Sequence, residues 1–517
     1  MKTRSLLPMA LVTLALGAFI LFYEKDLPST DERRELETKV LRVDTEDVDA
    51  VTIQWPNDAE TGELLTVRLR REFDTERSAE RSAWHLMPHP MDSPAGASKD
   101  TLRRADAEAV GGLLDSLVAL RHTRVFDTVD PSAAGLEPPV AQVTLSAGDH
   151  EWTLRFGNPL PASSDRTLTV DTVSNDGAGT TATYAVPGSV VDTLRRDPQA
   201  WRDAKLFHHS RVDIERLTLG QAGRPASQWP VLERRGEGDQ GFWIESPIQD
   251  QADPSLVDAL LGSLGTLEAR QFLDASPFDD TGLGLAPPQA TLEVLVAGRQ
   301  EPWRLAVGAP VGSPAMGVAV EDTDAEDTAV LYARADGQLV TVDRDILEPL
   351  LRDAPAWRSR SWASTQVFAI QSARVTDAQG SFEIVREGTE WLRDGAAIDY
   401  GVASDFLYAL TDLRAEQALD PASDPLDGDR SAYDPAQYDF EHPDLHIALA
   451  HDSGLDHDSG SESLWLYAPR TAAPHIGTVE GRDAVLLLPD VGALLGALEA
   501  LGSAEPLGDE STPEHVP

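Results

Sequence analysis

Residues 135–139 read GLEPP and residues 284–288 read GLAPP. A pentapeptide that returns once could be chance, so its surroundings decide whether it organises the chain. Upstream of the first lies LLDSLVAL (Leu113 to Leu120), and upstream of the second LLGSLGTL (Leu260 to Leu267). Downstream, an Ala-Gly (Ala147-Gly148, Ala297-Gly298) precedes a Trp (Trp152, Trp303) and then a Gly-x-Pro (Gly157 to Pro159, Gly308 to Pro310). Farther on, LRRDPQAWR (Leu194 to Arg202) answers LLRDAPAWR (Leu350 to Arg358). So many matches in one order mark a duplicated unit.

A divergent third copy follows. FLYALTDL (Phe406 to Leu413) takes the helix position, YDFEHPDLHIAL (Tyr438 to Leu449) the GLxPP position, and LWLYAP (Leu464 to Pro469) the Trp strand with its exit. Each copy opens with an alternating segment, VDAVTI (Val48 to Ile53), VDIERLTL (Val212 to Leu219) and QVFAIQSARV (Gln366 to Val375), whose period of two predicts a strand. A second strand ends in Trp84, Trp243 or Trp391. Val110, Leu113, Leu114, Leu117 and Val118 then form one apolar stripe on a 3.6-residue period, which predicts a helix. Asp253-Pro254 supplies an N-cap and a proline at the first helical position of the second copy.

GLxPP itself reads as a turn. Its glycine permits a left-handed backbone, and two prolines force an extended entry into the next strand. After it, two strands form a hairpin closed at Ala-Gly, followed by a further strand and a short helix (Thr183 to Arg196; Val340 to Arg352). Strands segregated around one main helix predict an α+β fold with mainly antiparallel sheet. The expected domains are an anchor at 1–25, modules at 26–205, 206–362 and 363–501, and a disordered tail at 502–517. Each module is long enough to bury a core of its own.

The net charge of −44 excludes the basic footprint that nucleic acid requires. There is no cysteine, so disulfides, thiolate metal sites and cysteine nucleophiles are excluded as well. Leu6 to Tyr23 are 18 uncharged residues after MKTRS, about 27 Å of helix. A cleaved signal peptide is the rival reading, but Ala15 and Gly17, which could mimic a cleavage site, lie inside an apolar run that continues to Tyr23, which predicts an uncleaved transmembrane anchor. The short tail before the span and the acidic bulk after it favour a single-pass inner-membrane protein whose body is extracytoplasmic, that is, periplasmic.

No phosphate loop, HExxH or GxSxG elbow occurs. His442 and His446 would suit a metal only on a helix, and here they lead into a strand with a shared face. The loop from His451 to Ser463 carries Asp452, Asp456, Asp458 and Glu462 among glycines and serines, a composition that could wrap calcium. Its place in the repeat makes it an expanded hairpin loop instead. Trp152, Trp303 and Trp465 recur at one module position, as do Trp201 and Trp357, which assigns them to packing. No catalytic, cofactor-binding or metal residue is nominated, and no cofactor is expected.

The order of anchor, strand, Trp strand, helix, GLxPP turn and Trp hairpin resembles the bacterial domain-of-unknown-function family numbered 4340. Members look like membrane-anchored proteins encoded beside ABC transporters of the gliding-motility type. The resemblance implies a non-enzymatic accessory or scaffold role with a protein partner in a membrane complex. The alternative is an envelope-facing protein that binds or hydrolyses glycans or peptides in a cleft between modules.

Overall fold

The computed structural model describes residues 37–57, 63–72, 83–87, 103–174, 177–235, 241–274, 278–312, 330–419, 434–452, 459–470 and 473–504. Three nine-stranded sheets share one strand order. In the first module the strands are β1 (Ala50–Pro56), β2 (Leu64–Glu72), β3 (Ala83–Leu86), β4 (Arg103–Arg104), β5 (Arg124–Phe126), β6 (Ala141–Ala147), β7 (His150–Pro159), β8 (Asp165–Ser174) and β9 (Gly179–Pro187). They lie in the order β4-β3-β2-β1-β6-β7-β8-β9-β5, every paired neighbour antiparallel. The second and third modules repeat that order strand for strand. Three similar α+β modules are therefore the architecture.

The main helices span Ala107–Val118, Pro254–Gly265 and Tyr400–Thr411. An aspartate caps each one: Asp106, Asp253 and Asp399 all accept from the backbone N–H groups two and three residues on. Val110, Leu113, Leu114 and Leu117 are buried and share one core with Val51, Ile53, Val143 and Leu145 of the sheet. The outer sheet face is polar, with cross-strand pairs such as Arg216–Glu233 and Arg374–Glu383. Such one-sided burial is what an alternating antiparallel strand produces.

The structure holds more strands than the sequence predicts. β8 and its counterpart Val330–Ala335 stand where one strand is expected instead of two. The edge strands β4 and β5 are two and three residues long, too short to carry a period.

Two tryptophan assignments are corrected by register. Trp84 and Trp391 are buried, but their counterpart in the second module is Phe242, since Ala105 N donates to Trp84 O as Ala252 N does to Phe242 O. Trp243 lies one residue on, so it faces away from that core, beneath the Arg235 guanidinium. Likewise, Trp152 pairs Leu145 and Trp303 pairs Val294, whereas the equivalent Leu449 pairs Glu462. Trp465 is therefore displaced, and a glutamate occupies the module's Trp position.

The paired GLxPP now has a structural answer. Gly135 and Gly284 both have φ of 67°, and Glu137-Pro138 and Ala286-Pro287 are both cis. The turn is locked by the Gly-x-Pro exit of the hairpin. Asn158 N donates to Ala134 O at 2.8 Å, and Ala309 N to Leu283 O at 2.9 Å. A Cβ on Gly157 or Gly308 would lie 2.3 or 2.4 Å from those same carbonyl oxygens. The two glycines of each copy are thus halves of one contact. The third module lacks both together, with Asp439 and Tyr467 in their places. There Tyr438, Phe440 and Tyr467 pack as an aromatic cluster, with ring centroids 6.4 and 5.1 Å apart.

The chain divides into two compact units, Met1–Ala204 and Lys205–Pro517. The second holds two sheets, and a buried ion cluster joins them. Asp250, fully buried, lies 2.6 Å from Arg482 Nε and 3.1 Å from Arg358 Nε. The Arg358 contact is at ion-pair distance without hydrogen-bond alignment. Arg482 also donates to the carbonyls of Ser359 and Ser361, and Arg358 to that of Ala418. Asp250 and Arg358 belong to the second module and Arg482 to the third. The first and third modules carry Arg103 and Ala396 at the Asp250 position.

Among the described residues no helix is long and apolar enough to cross a membrane. The anchor expected at 6–23 lies outside them, as do residues 505–517 of the expected tail. The last helix, Gly492–Ser503, runs slightly past the boundary set for that tail.

Candidate functional site

Within the Lys205–Pro517 unit, a cleft of about 600 Å³ opens beside the main helix of the third module. Its most deeply buried lining residues are Leu407, Trp391 and Ala363. One side is the entry segment from Ala363 to Phe368, and another is the helix Tyr400–Thr411. The second module contributes the start of its own helix at Asp253, Pro254 and Ser255. Arginines Arg360, Arg386 and Arg414 also line the cleft.

The three modules act as internal controls for deciding which of these residues the fold requires. Arg386 Nη1 donates to Phe368 O at 3.1 Å, as Arg71 and Arg234 brace the matching turns of the other copies. Arg414 donates to Thr411 O at 2.7 Å, closing the helix C-terminus as Arg121 does at Ala119 O. These two arginines are structural braces with nitrogens to spare. Arg360 has no such explanation. It is exposed, its side chain engages no protein group among the described residues, and its counterparts are Thr38 and Ala204.

The aromatic residues separate in the same way. Tyr400, Ser404, Tyr408 and Asp412 recur every fourth residue, so they share one face of the helix and its C-cap. Tyr400 and Tyr408 are 63% and 54% exposed, and Phe368 across from them is 74% exposed. Aligned on the capping aspartates, Tyr400 replaces Ala107 and Pro254, and Tyr408 replaces Asp115 and Gly262. Two modules thus build the same helix without aromatics on this face. The third has them where packing asks for nothing.

Glu462 holds the entry segment in place. Where Trp303 meets Phe207 edge-on at 5.1 Å in the second module, the third has Ala363 opposite Glu462. The buried carboxylate accepts from Ser364 N at 2.9 Å, Thr365 N at 3.3 Å and Thr365 Oγ1 at 3.1 Å. An apolar contact has become a polar clamp on the cleft wall. Glu462→Ala should therefore cost about 1 kcal/mol, since it removes the acceptor of two part-buried amides. Faster hydrogen exchange at Ser364 and Thr365 would report it, and unchanged exchange there would refute the clamp.

Glu462 is directed at the entry segment, away from the hairpin loop whose composition could wrap calcium. Asp456 and Asp458 lie outside the described residues, as does the side chain of Asp452. His442 sits in the turn, 3.4 Å from Asp439, while His446 is in the strand and stacks on Trp465 at 5.2 Å. They therefore do not share a strand face. Among the described residues no cluster of acids and histidines is placed to hold a metal ion.

A family model described as "Domain of unknown function (DUF4340)" matches residues 96–285 and again residues 243–443. The chain belongs to this family. Each DUF4340 match begins ahead of one module's main helix and ends within the next module's turn, at Leu285 or at Pro443. The two matches are offset by one module, which is the repeat seen in the sheets. Every residue named above as lining the cleft falls inside the second DUF4340 match. No curated protein and no solved structure matches the chain.

Proposed function

We propose that the protein is a non-enzymatic, membrane-anchored accessory protein that faces the extracytoplasmic side. In this reading it serves an ABC-transporter or cell-envelope complex and uses the third-module cleft to hold that complex's ligand. The observation that carries the reading is the face formed by Tyr400 and Tyr408, which the sister helices lack. A mixed polar and aromatic cleft of this volume is in the range of small-ligand sites. The uncharged run from Leu6 to Tyr23 supports the anchor, and tethering raises the effective concentration of the body at a membrane complex. The acidic composition disfavours adhesion to anionic lipid, which points to a protein partner at the membrane.

Hydrolysis is the rival. It would require a pair of carboxylates or an activated nucleophile in the cleft. Of the lining carboxylates Asp253 and Asp412, Asp253 is committed to capping its helix. The geometry therefore favours binding over turnover.

Purification of the full chain from membranes in mild detergent should recover a membrane complex. Deleting residues 1–23 should leave a folded, soluble and inactive body that recovers none. The Tyr400→Ala/Tyr408→Ala chain should keep its stability within about 0.5 kcal/mol, as exposed positions do, and still recover the complex while losing its ligand. Turnover of a glycan or peptide by the truncated body at ordinary enzymatic rates would overturn the accessory reading.

A further inference from the structure

We infer that the cleft recognises a carboxylate-bearing oligosaccharide, an inference that rests on reading the cleft as a ligand site. Tyr400 and Tyr408 stand two turns apart on one helix face, about 12 Å at the helical rise. Two exposed rings at that spacing, with Ser404 between them, form a platform for more than one flat C–H face of a saccharide. Tyrosine suits this, being an amphipathic ring with a hydroxyl handle.

The remaining groups match a polyol. Ser255, Ser361, Ser364, Gln366 and Ser404 line the cleft, and none of their side chains is hydrogen-bonded within the protein among the described residues. An apolar ligand would leave five such groups dry, which is costly, whereas sugar hydroxyls can pair with them. Arg360 supplies a cation held by no carboxylate among the described residues. In a chain of net charge −44 it selects for a ligand carboxylate, which a guanidinium can grip through two parallel N–H groups.

An extended acidic peptide is the competing occupant, and the fold disfavours it. A peptide added as a strand needs a free sheet edge. The strands that line the cleft, Gly380–Glu387 and Glu390–Arg393, each have a strand paired on both sides. The main-chain N–H groups of Ser364 and Thr365 are also already taken by Glu462.

The test uses the full chain in mild detergent with three probes: tetragalacturonic acid, maltotetraose and a Glu-rich dodecapeptide. Calorimetric titration should show saturable binding of tetragalacturonic acid and at least tenfold weaker binding of the neutral maltotetraose. Arg360→Gln should abolish that preference, and Tyr400→Ala/Tyr408→Ala should weaken both saccharides at least tenfold while the circular dichroism spectrum is unchanged. Binding of the dodecapeptide alone would assign the cleft to peptides and overturn the inference. Binding of neither saccharide would overturn it too, and so would saccharide binding that survives loss of both tyrosines. Each of these failures leaves recovery of the membrane complex unaffected, so the accessory role stands or falls separately.

Discussion

Asp250→Ala should destabilise the Lys205–Pro517 unit by about 3–5 kcal/mol, the usual cost of removing one partner from a buried ion cluster. The carboxylate has no exposed surface, and it faces two guanidiniums that are each 2% exposed. Without it, two cations remain buried between the sheets of the second and third modules. Carbonyl acceptors at Ser359, Ser361 and Ala418 soften that repulsion but cannot neutralise it. Urea unfolding of the full chain should show the loss in the transition of this unit, with the Met1–Ala204 transition unmoved. The triple variant Asp250→Leu/Arg358→Met/Arg482→Met should recover most of the lost stability, because apolar replacement of a whole buried cluster is often neutral or better. A cost below about 1 kcal/mol for Asp250→Ala would show that the cluster contributes little to joining the two sheets.

Gly308→Ala should cost about 3 kcal/mol, although alanine is the mildest of substitutions. The new methyl would stand 2.4 Å from the Leu283 carbonyl oxygen, which is backbone and already accepts from Ala309 N. It cannot swing aside as a side chain would. Gly157→Ala should behave alike, at 2.3 Å from the Ala134 oxygen. Gly112→Ala is the control. It lies in the helix Ala107–Val118 with nothing within 4 Å of the added atom, and should stabilise by about 0.5–1 kcal/mol. Thermal melts of the three variants would decide the matter. A wild-type melting temperature for Gly308→Ala would mean that the turn and the hairpin exit are not locked together.

The parts of this architecture that were legible in the sequence are those written in local chemistry. Glycine and proline mark GLxPP because few residues tolerate that backbone, and the stripe Val110 to Leu117 marks a helix because burial repeats with its period. Strand register is written elsewhere. In Phe242-Trp243, two adjacent aromatic residues fit the pattern equally well, and only the hydrogen bond to Ala252 shows which one faces inward. Aligning Trp465 with Trp303 fails for the same reason, since a string comparison matches like with like while the fold put Glu462 in that place.

The cleft was half legible. The helix carrying Phe406 was recognised, and comparing its outward positions with those of its sisters would have exposed Tyr400 and Tyr408 as additions. Arg360 could not be singled out, because its meaning depends on Arg386 and Arg414 being tied to backbone carbonyls. The ion cluster left no trace in the sequence. Its members come from positions 250, 358 and 482, and no local pattern links them.

A chain that repeats one sheet three times faces a hazard during folding, because strands of one copy can pair with the unfinished sheet of another. The outermost strands bear on that hazard. Arg103–Arg104 and Arg124–Phe126 bound the first sheet, Asp250–Gln251 and Gln271–Phe272 the second, and Ala396–Ile398 and Gln417–Leu419 the third. None exceeds three residues, so a finished sheet presents at most a few unpaired backbone groups at each margin. Very short edge strands are among the devices that keep natural sheets from templating their neighbours. The same brevity that hid these strands from the sequence pattern therefore guards the sister copies against exchanging strands, within one chain and between chains.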